Sequence, residues 1–157
     1  MATPLTRMTS KQSRAWLALI STAELLPSAL DAQLQRDATL THYEFIVLSA
    51  LQRSGAMRLS DLASATNAAL PRASKVVARL QHRGFIERED SEQDRRSIVL
   101  RLSKAGRRHL VLATPGHFDT VHRLVLDNLD DQQLDALAEA LEPIVRALDP
   151  QREFGPF

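Results

Sequence analysis

LSDLASATNAALPRASKVVARLQHRGFIEREDSEQDRRSIVLRLSKAG, residues 59–106, is the stretch from which the rest of the chain can be read. Ser60 is placed to cap a short helix carrying Leu62, Ala63 and Thr66, and Asn67-Ala68-Ala69 then makes a tight connection. A second helix is predicted from about Leu70, with Pro71 in the first turn, where a missing N–H costs little, and Gly84 as a left-handed cap. Its apolar stripe, Ala73, Val76, Val77 and Leu80, leaves Arg72, Ser74, Lys75 and Arg79 off the buried face. FIERED (85–90) and SIVLRL (97–102) follow, separated by SEQDRR. Ile98, Leu100 and Leu102 alternate as in a half-buried strand, so this is a hairpin with a charged tip.

Helices are expected on both sides of this unit. From Lys11 to about Gln35, Trp16, Ile20, Ala23, Leu26, Leu30 and Leu34 recur at spacings of three and four, predicting one long helix. Pro27 should kink or break it near Glu24. Thr41 and Glu44 form a T-x-x-E capping box ahead of Tyr43, Ile46, Val47, Leu48 and Leu51, and Ser54-Gly55 closes that helix. Ser103 should cap a fifth helix through Leu112, interrupted or kinked at Pro115-Gly116, with the pattern resuming at Phe118, Val121, Leu124 and Val125. Asp130 and Gln133 make a second box before a last helix with Leu134, Leu137, Ala138, Leu141, Val145 and Leu148.

Charge is divided unevenly along the chain. The net charge of +1 hides eleven basic and five acidic residues in 72–108, against three basic and nine acidic in 109–157. A basic centre suits a polyanion, because each cation seated on a phosphate releases condensed counterions. The chain has no cysteine, which excludes disulfides, thiolate metal sites and thiol switches and fits a cytoplasmic protein. Neither an export signal nor about eighteen consecutive apolar residues is present, so no membrane partner is expected. No glycine-rich phosphate loop, H-E-x-x-H, nucleophile elbow or paired-carboxylate motif occurs, so the chain is not expected to be an enzyme and needs no cofactor.

Two short helices joined by a tight turn, the second rich in Arg, Lys and Ser on one side, describe a helix-turn-helix whose second member can lie in a DNA major groove. The basic block spans both that helix and the hairpin, which strengthens the reading. Here the sequence resembles the MarR family of winged-helix regulators. RLQHRGFIER is similar to that family's R-L-x-x-x-G-[LFW]-[IV]-x-R, and DRRSIVLRLSKAG to its D-x-R-x-x-x-[VL]-x-L-[ST]-x-x-G. The flanking helices match in order and spacing. Pro71-Arg72 departs from the small hydroxyl residues more common at the start of the family's recognition helix, which bears on base preference.

The resemblance implies a mainly α fold with a small β-hairpin wing, a winged helix-turn-helix dimerising through its N- and C-terminal helices. Residues 1–157 then form one domain, with a DNA-binding lobe over 38–103 and dimerisation helices in 1–36 and 104–157. Arg72, Ser74, Lys75 and Arg79 would face double-stranded DNA. Asp94, Arg95 and Arg96 would form the wing tip, with Arg96 in the minor groove and Asp94 holding the wing. A bland alternative makes these last three a solvated turn, and Arg79 could pair instead with Glu87 or Glu89. A homodimer would present two recognition helices about one DNA turn apart, hence a pseudo-palindromic operator.

The resemblance further implies a small aromatic or anionic effector between the dimer helices and the lobe, with Trp16, His42, Tyr43 and His117 as candidate contacts. Zinc sensing through His42, His117 and His122 is a variant of this reading, but His117 and His122 lie about 140° apart around a helix, poor spacing for two ligands. No metal site is therefore assigned. The rival from another class is a winged-helix interaction or dimerisation module that never touches DNA.

Overall fold

The computed structural model describes residues 8–90 and 98–155. Helix α1 (Ser10–Ala38) starts on a capping box between Thr9 and Gln12 and ends at Thr39, whose φ of 53° is left-handed. Of the kink or break expected near Glu24, the break does not occur: Pro27 lies inside one continuous helix. Proline removes a single donor, and the turns after it are held by Leu30, Gln33 and Leu34, all buried. The capping box of Thr41 and Glu44 starts α2 (His42–Ser54) as expected.

Helix α3 (Leu59–Ala65) follows Arg58 without a side-chain cap. Ser60, expected to cap it, lies inside the helix and points its hydroxyl at Asp61 Oδ1, 3.3 Å away. Helix α4 (Leu70–His82) completes the helix-turn-helix. Between α2 and α3 lies β1 (Ala56–Met57), too short to leave a period-two pattern in the sequence. It joins β2 (Ile86–Asp90) and β3 (Ile98–Leu102) in an antiparallel sheet ordered β1-β3-β2. Ile98 shares a face with Leu100 and Leu102 but is 52% exposed, because it sits where the strand has run past the core.

Helix α5 (Lys104–Leu124) takes its cap from Ser103 and runs through Pro115-Gly116 without the break that was one of the two outcomes expected there, the other being a kink. Its buried residues, from Leu110 through Ala113 to His117 and Thr120, bracket Pro115 and hold the helix together across the missing bond. A 3₁₀ turn (Leu126–Asn128) leads to the second capping box, Asp130 with Gln133, and to α6 (Asp131–Leu148).

One core lies among the end of α1, helices α2 to α4, the sheet and α5. Leu34, Leu40, Leu48, Leu51, Leu62 and Leu80 are its largest fully buried members, with Phe45, Ile86, Leu100, Leu102 and Leu110 around them. By contrast, α6 buries no residue. Leu137, Ile144, Val145 and Leu148 are exposed, as are Trp16, Leu17 and Leu25 of α1 and Val111, Leu112 and Phe118 of α5. A single chain thus leaves large apolar side chains uncovered along its terminal helices. No helix among the described residues is long and apolar enough to cross a membrane.

Candidate nucleic-acid interface

Helix α4 is held against the core by Ala73, Val76, Val77 and Leu80, as its pattern predicts. It ends in a paired cap: Gly84, at φ 74°, donates to Gln81 O at 2.9 Å, and Phe85 N–H donates to Leu80 O at 2.9 Å. Only a residue tolerant of the left-handed region fits that position without strain. The cap turns the chain straight from α4 into β2, so helix and wing share one corner.

On the outer side of α4, Pro71, Lys75, Ala78 and His82 are exposed and fall on one ridge opposite the core, with Ser74 half-buried beside them. The other cations of the helix turn towards α2. The Arg72 guanidinium lies 4.4 Å from the centre of the Tyr43 ring, a cation–π contact. Arg79 Nε donates to Glu44 Oε1 at 2.7 Å, and Arg83 Nη1 lies 3.7 Å from Glu44 Oε2. The Arg79 Nε thus bonds Glu44, not Glu87 or Glu89, the partners that the sequence offered. In the wing, Arg101 of β3 pairs across the sheet with Glu89 at 3.0 Å. Asp94, Arg95 and Arg96 lie outside the described residues.

A cleft of about 800 Å³ opens between α1, the start of α2 and α4, with Asp31, His42, Tyr43, Ile46, Arg72 and Arg79 among its walls. Of the four candidate effector contacts, His42 and Tyr43 line it. His117 is buried behind them, its ring 4.3 Å from that of Phe45 and 6.1 Å from that of His42, and Trp16 stands exposed towards the start of α1. The first turn of α2 is pinned on several sides. His42 N–H donates to Asp31 Oδ1 at 2.7 Å. Tyr43 Oη lies 2.9 Å from Thr66 Oγ1, and since the threonine's only hydrogen goes to Leu62 O at 2.7 Å, the tyrosine donates.

The three histidines weighed for zinc do not converge, since His122 instead faces Asp127 at 3.3 Å. Among the described residues no group of three or more His, Cys, Asp or Glu could hold a metal ion. Burial pushes the His117 imidazole below its ordinary value near 6.5, and neighbouring His42 adds to the effect. Burial also lowers His42, against a raising influence from Asp31. Between the lowered folded values and 6.5 the unfolded chain binds more protons, so this stability is complete above 6.5 and is lost as pH falls below it. The urea midpoint is expected to be lower at pH 5.5 than at pH 7.5, with His117→Phe flattening the difference; equal pH dependence in parent and variant would acquit His117.

Sequence reasoning missed two things. It assigned Glu44 to the capping box alone, although Arg72, Arg79 and Arg83 recur on one helical ridge and called for an anion facing them. It also passed over Ala78 and His82, which lie on the outermost ridge of α4 beside Lys75.

The family model of MarR matches residues 40–98. Among curated relatives, the chain is 33% identical over 104 residues to an uncharacterised HTH-type transcriptional regulator, YfiV of Bacillus subtilis, covering 66% of this chain and 64% of that protein. It is 27% identical over 104 residues to the transcriptional repressor MprA of Escherichia coli, covering 66% of this chain and 58% of the repressor. Both alignments span less than two thirds of the relative's own length. Among solved structures, AbsC, a MarR family transcriptional regulator from Streptomyces coelicolor, superposes with a TM-score of 0.86 at 31% identity, covering 94% of this chain and 100% of that one. Sco3205, a MarR family transcriptional regulator from the same organism in complex with DNA, superposes with a TM-score of 0.86 at 33% identity, covering 95% of each chain.

Proposed function

This chain belongs to the MarR family, and we propose that it acts as a homodimeric, DNA-binding transcriptional repressor of a pseudo-palindromic operator in the cytoplasm, with no catalytic role. The observation that carries the reading is the outer face of α4: an exposed helix ridge with Lys75 and His82, flanked by Ser74 and Arg72, joined through the Gly84 corner to the β2–β3 hairpin. That arrangement suits a helix laid in a major groove beside an arm reaching the neighbouring groove. The 33% identity to a regulator crystallised with DNA supports it.

We assign DNA contacts to Arg72, Ser74 and Lys75 of the helix and to Arg95 and Arg96 of the wing, with Asp94 holding the wing tip. Arg79, expected with them, has its Nε on Glu44. The uncovered apolar faces of α1, α5 and α6 support a homodimer through the termini, where Trp16 also finds its place. A small aromatic anion is the occupant that suits the cleft, because His42 and Tyr43 offer ring faces and Arg72 offers charge, with His117 buried behind as support. Such a ligand would draw Arg72 away from phosphate. Release of operator by an aromatic carboxylate, without dissociation of the dimer, is the result that checks it.

The primary test is binding to a labelled duplex from upstream of the protein's own gene, titrated with salt and unrelated competitor DNA. Tight, competitor-resistant binding with a steep salt slope is expected, since each phosphate contact contributes about 0.9 to that slope. An interaction module would show no such dependence. Within this test, Arg96→Ala is expected to weaken operator binding tenfold or more, a contact of roughly 1–3 kcal/mol, with the dimer mass unchanged. Unaltered affinity would remove the wing from the mechanism.

A further inference from the structure

We propose that Arg79 makes no DNA contact and acts instead as a positioning residue: through the buried carboxylate of Glu44 it ties α4 to the first turn of α2 and sets the tilt at which the recognition helix is presented. The proposal rests on the DNA-binding reading above and corrects it at one residue.

Glu44 is the anchor. Its side chain is 3% exposed, and both oxygens are engaged: Oε1 accepts from Arg79 Nε at 2.7 Å, and Oε2 accepts from Thr41 N–H at 2.7 Å with Arg83 Nη1 3.7 Å away. A carboxylate taken this far out of water requires its cation, so drawing Arg79, itself 50% exposed, off to a phosphate would leave Glu44 only the longer contact to Arg83. Arg72 shares the ridge of Arg79 and Arg83, but its partner is the Tyr43 ring face and not a buried charge, so it is the buried carboxylate, and not helical phase, that sets Arg79 apart.

What Arg79 grips is itself fixed to the scaffold. The turn that carries Glu44 is bonded to α1 through Asp31 and rests on α5 where Phe45 meets His117. The Glu44–Arg79 pair therefore links the recognition helix to the two long helices that lead to the dimer interface. In a dimer, the angle of α4 against those helices fixes the separation of the two recognition helices, and hence the spacing of half-sites, about 10–10.5 bp centre to centre. A phosphate contact would govern affinity through charge; a positioning contact governs spacing.

The experiment compares the parent dimer, E44Q/R79M and K75M on a duplex selected from a random pool by the parent, and on versions with one base pair added or removed between half-sites. The paired variant is chosen because R79M alone leaves a buried charge and could fail to fold, whereas glutamine at 44 preserves the capping box and strands no charge. E44Q/R79M is expected to keep the parent's slope of log affinity against log salt while its discrimination against altered spacing falls at least fivefold. K75M should lower the slope by about 1.8 per dimer, two phosphate contacts. A slope loss in E44Q/R79M equal to that of K75M would make Arg79 a phosphate contact and overturn the proposal; an unchanged slope with unchanged spacing preference would overturn it equally. Absence of salt-dependent binding by the parent would instead overturn the DNA-binding reading itself, and is seen before any variant is made.

Discussion

Leu137→Glu with Ile144→Glu in α6 is expected to yield folded monomers that no longer hold operator DNA. Both residues lie seven apart on one face of a helix that buries nothing in its own chain, so their loss leaves the core of the lobe untouched. In a two-fold interface each substitution counts twice. Each is 40% exposed in the single chain, so four such side chains contribute about 40% of 1.5–3 kcal/mol apiece, roughly 2–5 kcal/mol, and a carboxylate buried in their place costs more. A micromolar dimer is held by about 8 kcal/mol, so the change is large enough to dissociate it. Four added carboxylates would repel as well. Sedimentation equilibrium should show half the parent mass, circular dichroism an unchanged helical spectrum, and operator affinity a loss of at least about a hundredfold as two half-sites are no longer engaged together. A variant that stayed dimeric would move the interface off α6.

Gly106→Ala should be the most damaging single-methyl change in the lobe. A Cβ there would stand 2.1 Å from Phe85 O and 2.9 Å from its carbonyl carbon, both backbone atoms. Neither side can yield easily. Phe85 O accepts from Ser103 N–H at 3.0 Å, and Ser103 Oγ accepts from Gly106 N–H at 2.9 Å while donating to Gly84 O at 2.6 Å. Relief of the clash must move the start of α5, the cap of α4 or the root of β2. Overpacking of this kind costs about 3 kcal/mol or more. For a chain of this size that corresponds to a Tm lowered by roughly 10 °C. A loss under about 1 kcal/mol would mean that α5 can slide away from the corner at little cost, and that the joint is softer than its hydrogen bonds suggest.

Much of this architecture was legible because its signals are local. The capping boxes at Thr41–Glu44 and Asp130–Gln133, the Ser103 cap, the buried stripe of α4 and the Gly84 turn each depend on residues within one or two turns of each other, and each is present. What escaped depended on distant parts of the chain. Pro27 and Pro115 lie within continuous helices because burial on either side of each compensates for one missing bond, and burial is a tertiary fact. Likewise β1 is two residues whose only reason to be a strand is Arg101 and Leu100 opposite them. Glu44 was read as a cap and is also the counter-ion of a helix thirty-five positions away. Gly106 was legible as a motif position, but its cause, the Phe85 carbonyl, was not.

The sheet carries a consequence for how such a protein can diverge. Pairing from Ile86↔Leu102 to Asp90↔Ile98 brings the two ends of residues 91–97 to opposite positions on adjacent strands, whatever joins them. The register of those five pairs is anchored at the other end by β1 and by the Ser103 corner. Doubling the length of a connecting segment closed in this way costs only about 0.6 kcal/mol of chain entropy. Insertions, deletions and recharging of that segment can therefore be sampled by mutation at nearly constant stability. The length and charge of that segment become variables separate from the survival of the fold.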